Sequence, residues 1–163
     1  MLQIRSIPLG VFSGAMNMAV DRVVLRGKRA GRNTFDITLR WYDFPPNTVT
    51  IGRFQPQETI EHDPRYRNYE VVKRPTGGGL VLHDQSLTFS LVVTEDSLPA
   101  AASSGQLYAF IHAVIREAFR RCGVHADDYV PDAAQSSPKG SIACCFDEPV
   151  TSDIMYHGNK IVS

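Results

Sequence analysis

The chain of 163 residues predicts an α+β fold, a mainly antiparallel or mixed sheet with packed helices, on three observations. Two segments carry apolar residues at helical spacing, from Met16 to Val24 and from Leu107 to Phe119. Between them lie five short runs rich in β-branched and aromatic residues, at 36–42, 47–52, 69–73, 79–83 and 87–94. Pro45-Pro46, Pro56, Pro64 and a run of glycines separate those runs, and the hairpin-like connections look too short for parallel crossovers.

Ser13 can cap the first helix, in which Met16, Ala19, Val20, Val23 and Val24 follow the three-four spacing of a buried stripe. The basic run Arg26-Gly-Lys-Arg-Ala-Gly-Arg32 reads as a solvated helix end, where cations suit the dipole. In the strand block, Glu70-Val-Val-Lys73 enters the glycine run and Leu87-Thr-Phe-Ser-Leu-Val-Val93 leaves it. Three successive glycines cost conformational entropy and pack nothing, so the chain must take φ > 0 there or be approached closely. Bare N–H groups then become available to an anion or a carbonyl; a wide turn or bulge is the structural alternative. Ser103 or Ser104 can cap the second helix, with Leu107, Phe110, Ile111, Val114, Ile115, Ala118 and Phe119 on one face, an outward Glu117–Arg121 pair, and Cys122-Gly123 at its end. From Asp127 to Gly140 the chain reads as one long irregular loop. Ile154 to Tyr156 and Lys160 to Val162 then read as short strands joined at His157-Gly-Asn159.

Composition suits a single domain over 1–163, large enough to bury roughly 70% of its unfolded surface. With 17 acidic and 17 basic residues, no nucleic-acid partner is indicated. Cys122, Cys144 and Cys145 lack metal-ligand spacing and form no even disulfide set. No signal-like leader or apolar run of membrane-spanning length is present, so the expected compartment is the cytoplasm, with no membrane partner.

The segment Arg74-Pro-Thr-Gly-Gly-Gly-Leu-Val-Leu-His-Asp84 resembles the Arg-x-x-Gly-Gly-Gly-x-Val-x-His-Asp element of the lipoate-protein ligase and octanoyltransferase family, relatives of biotin protein ligases. Ser13-Gly-Ala-Met-Asn-Met-Ala-Val-Asp21 resembles the family's first helix. Trp41 with Pro45-Pro-Asn-Thr-Val-Thr-Ile-Gly-Arg-Phe-Gln55 resembles its substrate-side strand and turn. Cys145-Phe-Asp and Asp153-Ile-Met-Tyr-His-Gly-Asn-Lys-Ile161 complete the set. The resemblance implies a class II biotin/lipoate ligase-like catalytic domain. Family members continue beyond the position of Ser163 with further strands and helices, so the expectation is an incomplete, C-terminally truncated domain whose sheet edge a second chain could complete.

By the same resemblance Cys145 is the candidate nucleophile, since the cysteine-using octanoyltransferases carry their acyl-accepting thiol before Phe-Asp; a buried structural cysteine is the alternative. Lys160, in Gly158-Asn-Lys-Ile161, matches the lysine that contacts the acyl carbonyl, against the plainer reading of a turn-flanking surface lysine. Arg74 and the backbone of Gly77, Gly78 and Gly79 would line the acyl carbonyl or, in a ligase, the adenylate. His83 could shape that site, assist proton transfer, or be hydrogen-bonded structure only. Asp84 is expected to satisfy turn backbone groups and Asp153 to be structural. Leu80, Leu82, Phe89 and Trp41 could form an acyl tunnel or belong to the core.

Three functions follow. In the first, Cys145 takes octanoyl from the phosphopantetheine thioester of an acyl carrier protein and passes it to a lysine of a lipoyl-accepting domain or glycine-cleavage H-like protein, with no cofactor. In the second, a lipoate-protein ligase uses ATP and Mg²⁺ to make lipoyl-adenylate. In the third, a truncated chain binds an acyl ligand or partner without turnover. Ser86-Leu87 followed by Thr-Phe-Ser90 is similar to the transferase branch, as is Cys145, whereas the full triple glycine is also typical of ligases.

Overall fold

The structure, a computed structural model, describes residues 2–32, 34–84, 86–94, 103–130 and 149–162. Contacts divide the chain into two units, Met1–Ala100 and Ala101–Ser163.

In the first unit, strand β1 (Ile4–Val11) lies parallel to β2 (Ile37–Asp43), and β2 pairs on its other side, antiparallel, with β6 (Thr88–Val93). Pro8 and Gly10 hide β1 from a propensity reading; the strand is tolerated because it is an edge, and its register shifts between Ile7 and Gly10. Helix α1 (Gly14–Arg29) connects β1 to β2. A second sheet has β3 (Thr48–Ile51) at its centre, parallel to β4 (Glu70–Lys73) and antiparallel to β5 (Val81–Leu82). The connection from β3 to β4 is no hairpin. Helix α2 (Gln57–Glu61) and a 3-10 turn at Pro64–Tyr66 carry the chain back, so that β4 runs parallel to β3 and both sheets are mixed. All four residues of β3 are buried. Met18, Tyr42 and Phe44 form a core cluster with Val72 against it.

Helix α1 starts where expected. The Ser13 hydroxyl accepts from the Met16 N–H, and the Glu70 carboxylate accepts from the N–H groups of Gly14 (3.0 Å) and Ala15 (3.1 Å), placing an anion at the positive helix end. A Cβ on Gly14 would stand 2.6 Å from the Val72 side chain, so the close seating of α1 on β4 needs glycine there. The expected buried stripe is corrected: Met16 and Val23 are exposed, and the buried positions are Gly14, Asn17, Met18 and Asp21. The inward face of β2 carries Arg40, and that cation selects the polar face of the helix.

The second unit pairs β7 (Asp127–Asp128), β8 (Ile154–Tyr156) and β9 (Asn159–Val162) in an antiparallel sheet, with helix α3 (Ser104–Arg121) before it. Ser103 caps α3 in a capping box with Gln106, and Gly123 takes φ +80 just past its end. The β8–β9 hairpin turns at His157 (φ 48) and Gly158 (φ 78), the paired positive φ of a type I′ turn. The expected apolar face of α3 is corrected as well: Phe110 and Val114 are exposed, and His112 is the helix's buried residue. Three strands of two to four residues cover little of an eighteen-residue helix. The irregular stretch called from Asp127 begins instead with β7, and residues 131–148 lie outside the described residues.

Candidate active site

Arg74 leaves β4 with its N–H donating to the Ile51 carbonyl, and its guanidinium then turns inward. Nη1 donates to the Thr50 carbonyl (3.1 Å) and hydroxyl (2.9 Å); Nη2 donates to the carbonyls of Gly77 (3.1 Å) and Gly79 (2.7 Å). The side chain expected to meet substrate is therefore engaged in holding the glycine loop. Because the Gly77 carbonyl points at Arg74, the N–H of the same peptide, that of Gly78, points away from it. Among the described residues the N–H groups of Gly77 and Gly78 donate to no protein acceptor. Gly78 takes φ +95, which an L side chain rarely adopts.

A second turn braces the loop. The Arg53 N–H donates to the Thr76 carbonyl at 2.8 Å, and a Cβ on Gly52 would stand 2.0 Å from the Gly78 carbonyl oxygen. Gly52 was not singled out from sequence; the signal was its place in Ile-Gly-Arg-Phe-Gln, directly after a fully buried strand.

His83 is 5% exposed, and its ring lies 4.0 Å from that of Phe44. Its Nε2 sits 2.8 Å from the Thr50 hydroxyl and its Nδ1 3.0 Å from the Ser86 hydroxyl, so both ring nitrogens are engaged. Burial, and then the neighbouring Arg74 cation, pushes the imidazole down to about 4. It is neutral at pH 7, and its geometry suits shaping the loop better than moving protons. Thr50 joins the two residues by contacting His83 and accepting from Arg74. Asp84 does what its position suggested: it accepts from the Asn47 N–H and the Tyr69 hydroxyl.

Behind this region lies a buried polar cluster that the sequence did not announce. Asp21 accepts from Arg40 Nη1, the Tyr42 hydroxyl and the Ser90 hydroxyl, each at 2.8 Å. Asn17 completes it by accepting from Arg40 Nη2 at 2.5 Å and donating to the carbonyls of Phe12 and Asp43. Burial, with the Asp21 charge, raises the Tyr42 phenol well above its usual range. Of the four proposed tunnel residues, Trp41 and Phe89 face each other with ring centroids 5.5 Å apart; Leu80 is fully buried and Leu82 is 36% exposed.

In the second unit Lys160 is no surface residue. Its side chain is 3% exposed and pairs with Asp153 at 2.6 Å, a carboxylate itself fully buried. Asp153 also accepts from the Tyr108 hydroxyl and, at 2.7 Å, from the Val150 N–H. His112 Nδ1 donates to the Ser152 carbonyl at 2.8 Å, next to the positive-φ Ser152. Tyr108 was read only as part of a helix, and its role as an Asp153 donor emerges from the structure. Cys145 and Cys144 lie outside the described residues. Among the described residues no group of three or more His, Cys, Asp or Glu could hold a metal ion, and no helix is long and apolar enough to cross a membrane.

A family model for the lipoyl protein ligase A/B catalytic domain matches residues 13–163. Proteins named octanoyltransferase LipM are similar over most of the chain. The one from Brevibacillus brevis is 34% identical over 99% of this chain and 59% of its own length, and the one from Bacillus subtilis is 32% identical over 96% and 58%. Among solved structures, a Thermoplasma acidophilum protein named after the lipoate protein ligases superposes with a TM-score of 0.67 at 25% identity, over 98% of this chain and 60% of that one. A lipoate-protein ligase A bound with ATP gives 0.66 at 22% identity, over 95% and 57%, a likeness of fold. The chain thus spans under two thirds of the length of the curated relatives it matches. A glycine loop held by Arg74, a Lys160 in the Gly-Asn-Lys-Ile setting and a family match over residues 13–163 agree, and the chain belongs to the lipoyl protein ligase A/B catalytic domain family.

Proposed function

We propose that the chain carries the acyl-transfer chemistry of an octanoyltransferase in lipoate biosynthesis. The Cys145 thiolate attacks the thioester carbonyl of an octanoyl carrier protein. The bond from that carbonyl to the carrier's sulfur breaks, and the departing thiolate takes up a proton. The neutral amine of an acceptor lysine, on a lipoyl-accepting domain or H-like protein, then attacks the Cys145 thioester; the bond from the acyl carbon to the Cys145 sulfur breaks, the nitrogen loses a proton to solvent, and an amide and the Cys145 thiolate result.

The observation that carries this reading is the glycine loop. The N–H groups of Gly77 and Gly78, without protein acceptors among the described residues and in peptides whose carbonyls are held by the Arg53 N–H and by Arg74, suit an oxygen that gains negative charge as the carbonyl becomes tetrahedral. In the Ala101–Ser163 unit, Lys160 stands in the Gly-Asn-Lys-Ile setting of the lysine that contacts the acyl carbonyl in the family, and its ammonium pairs with Asp153. Neither step needs a nucleotide. The LipM names of the relatives support the same reaction.

Intact-mass measurement after incubation with octanoyl carrier protein tests the reading. The expected product is a single octanoyl adduct, discharged by hydroxylamine and absent from Cys145→Ser. Lipoate-dependent pyrophosphate release from ATP without any adduct would replace the transferase with the ligase.

A further inference from the structure

A cleft of about 360 Å³ in the Met1–Ala100 unit is lined by Arg22, Arg26 and Arg29 of α1, Arg53 after β3, and Lys73 and Arg74 at the end of β4. Leu25 and Pro75 complete the lining, so no carboxylate belongs to it. Such a concentration stands out in a chain whose 17 acidic and 17 basic residues cancel. Arg74 is engaged with Thr50 and the glycine loop, and Arg22 donates to the Lys73 carbonyl. Arg26, Arg29, Arg53 and Lys73 make no ion pair among the described residues. The negative end of the α1 dipole accounts for Arg26 and Arg29, which stand in its last turn. It does not account for Arg53 and Lys73, which other elements bring to the same place. Like charges within one Debye length, about 8 Å at physiological salt, repel unless an anion offsets them.

The arrangement is a row. Arg22, Arg26 and Arg29 stand at i, i+4 and i+7 on one helix face, ~10 Å from first to last at ~1.5 Å per residue. A row of cations matches a row of carboxylates better than it matches a single small anion. Its far end, Lys73-Arg74, leads directly into the loop that presents the Gly77 and Gly78 N–H groups. We infer that this cleft is the docking surface for an acidic face of the acyl-donor carrier protein, which it holds while the carrier's thioester arm reaches the glycine loop. The inference rests on the octanoyltransferase reading.

Fluorescence anisotropy with labelled octanoyl carrier protein, and with the same carrier lacking its prosthetic arm, tests it on the full chain. Both forms bind, and affinity falls about tenfold between ~50 and ~200 mM salt. Arg26→Glu/Arg29→Glu weakens both by at least about tenfold, whereas Arg67→Glu/Arg121→Glu, of equal net charge and outside the cleft, stays within about twofold. Equal binding by wild type and the cleft variant overturns the inference. So does a cleft variant that keeps the carrier but loses a lipoyl-accepting domain, which would assign the surface to the acceptor. Binding is read without turnover: a chain that docks the armless carrier through the cleft yet forms no Cys145 adduct refutes the transferase reading alone. Adduct formation and carrier affinity both untouched by the cleft variant refute the docking surface alone.

Discussion

Protonation of His83 works against the fold, and the structure sets the size of the effect. An imidazole that ordinarily titrates at 6.5 is held down to about 4, first by burial and next by Arg74, with Asp43 and Asp84 pulling weakly the other way. At about 1.4 kcal/mol per pH unit, the displacement amounts to ~3 kcal/mol in favour of the neutral ring. Because the folded-state value is depressed, the unfolded chain takes up the proton first as pH falls. The contribution is therefore complete above ~6.5, shrinks as pH drops through the folded-state value near 4, and is gone below it. Urea unfolding of wild type and His83→Gln between pH 7.5 and 4 isolates this contribution, since carboxylates that titrate alike in both proteins cancel in the difference. The wild-type advantage should narrow by ~3 kcal/mol over that range. A difference that stays constant, or a His83 ring resonance that titrates near 6.5 by NMR, would refute the reasoning.

Three other outcomes follow from named contacts. Asp153→Asn leaves the Lys160 ammonium buried without its counter-ion and should cost ~3–5 kcal/mol in chemical denaturation; Lys160→Met, which removes the buried cation but leaves the carboxylate its Tyr108 and Val150 donors, should cost less. Gly52→Ala drives a Cβ into the Gly78 carbonyl, so amide exchange across 76–80 should rise and the octanoyl adduct should form more slowly, while Gly27→Ala, whose Cβ would meet nothing within 4 Å, should leave exchange there unchanged. Asp21→Asn keeps the shape of the cluster but strands Arg40, 3% exposed; a loss of ~3–5 kcal/mol is expected, and thermal melting that matches wild type would contradict the buried pairing.

Most elements were legible because their ends carry chemistry that acts locally. Ser13 and Ser103 cap helices through their own hydroxyls, Gly123 closes α3, and His157-Gly158 makes a two-residue turn, none of which needs a distant partner. What failed was the reading of faces. Periodicity counts apolar residues and so placed Met16 and Val23 inside, yet the inward face of α1 answers Arg40, 23 residues from Asn17 and 19 from Asp21 and in no particular pattern of spacing. The same blindness hid β1, whose Pro8 and Gly10 are tolerated by its edge position, and the parallel pairing of β3 with β4, which depends on the short α2 excursion.

The candidate site shows the limit from the other side. The motif located the loop and named its arginine, but a motif does not say which way a guanidinium points. In the structure Arg74 donates to carbonyls of its own loop, and Lys160 stands against Asp153, so each of these cations already has a protein acceptor. What the loop itself offers is neutral: backbone N–H groups of Gly77 and Gly78. Such donors match a thioester carbonyl, which carries no net charge until the nucleophile arrives and then needs two short hydrogen bonds to one oxygen. A triphosphate makes a different demand, for cations aimed outward at several charged oxygens from the start. The triple glycine is common to ligases and transferases; the inward turn of Arg74 leaves the loop's own donors neutral, as the proposed acyl transfer needs, and the outward cations stand in the neighbouring cleft, where the proposed carrier protein docks.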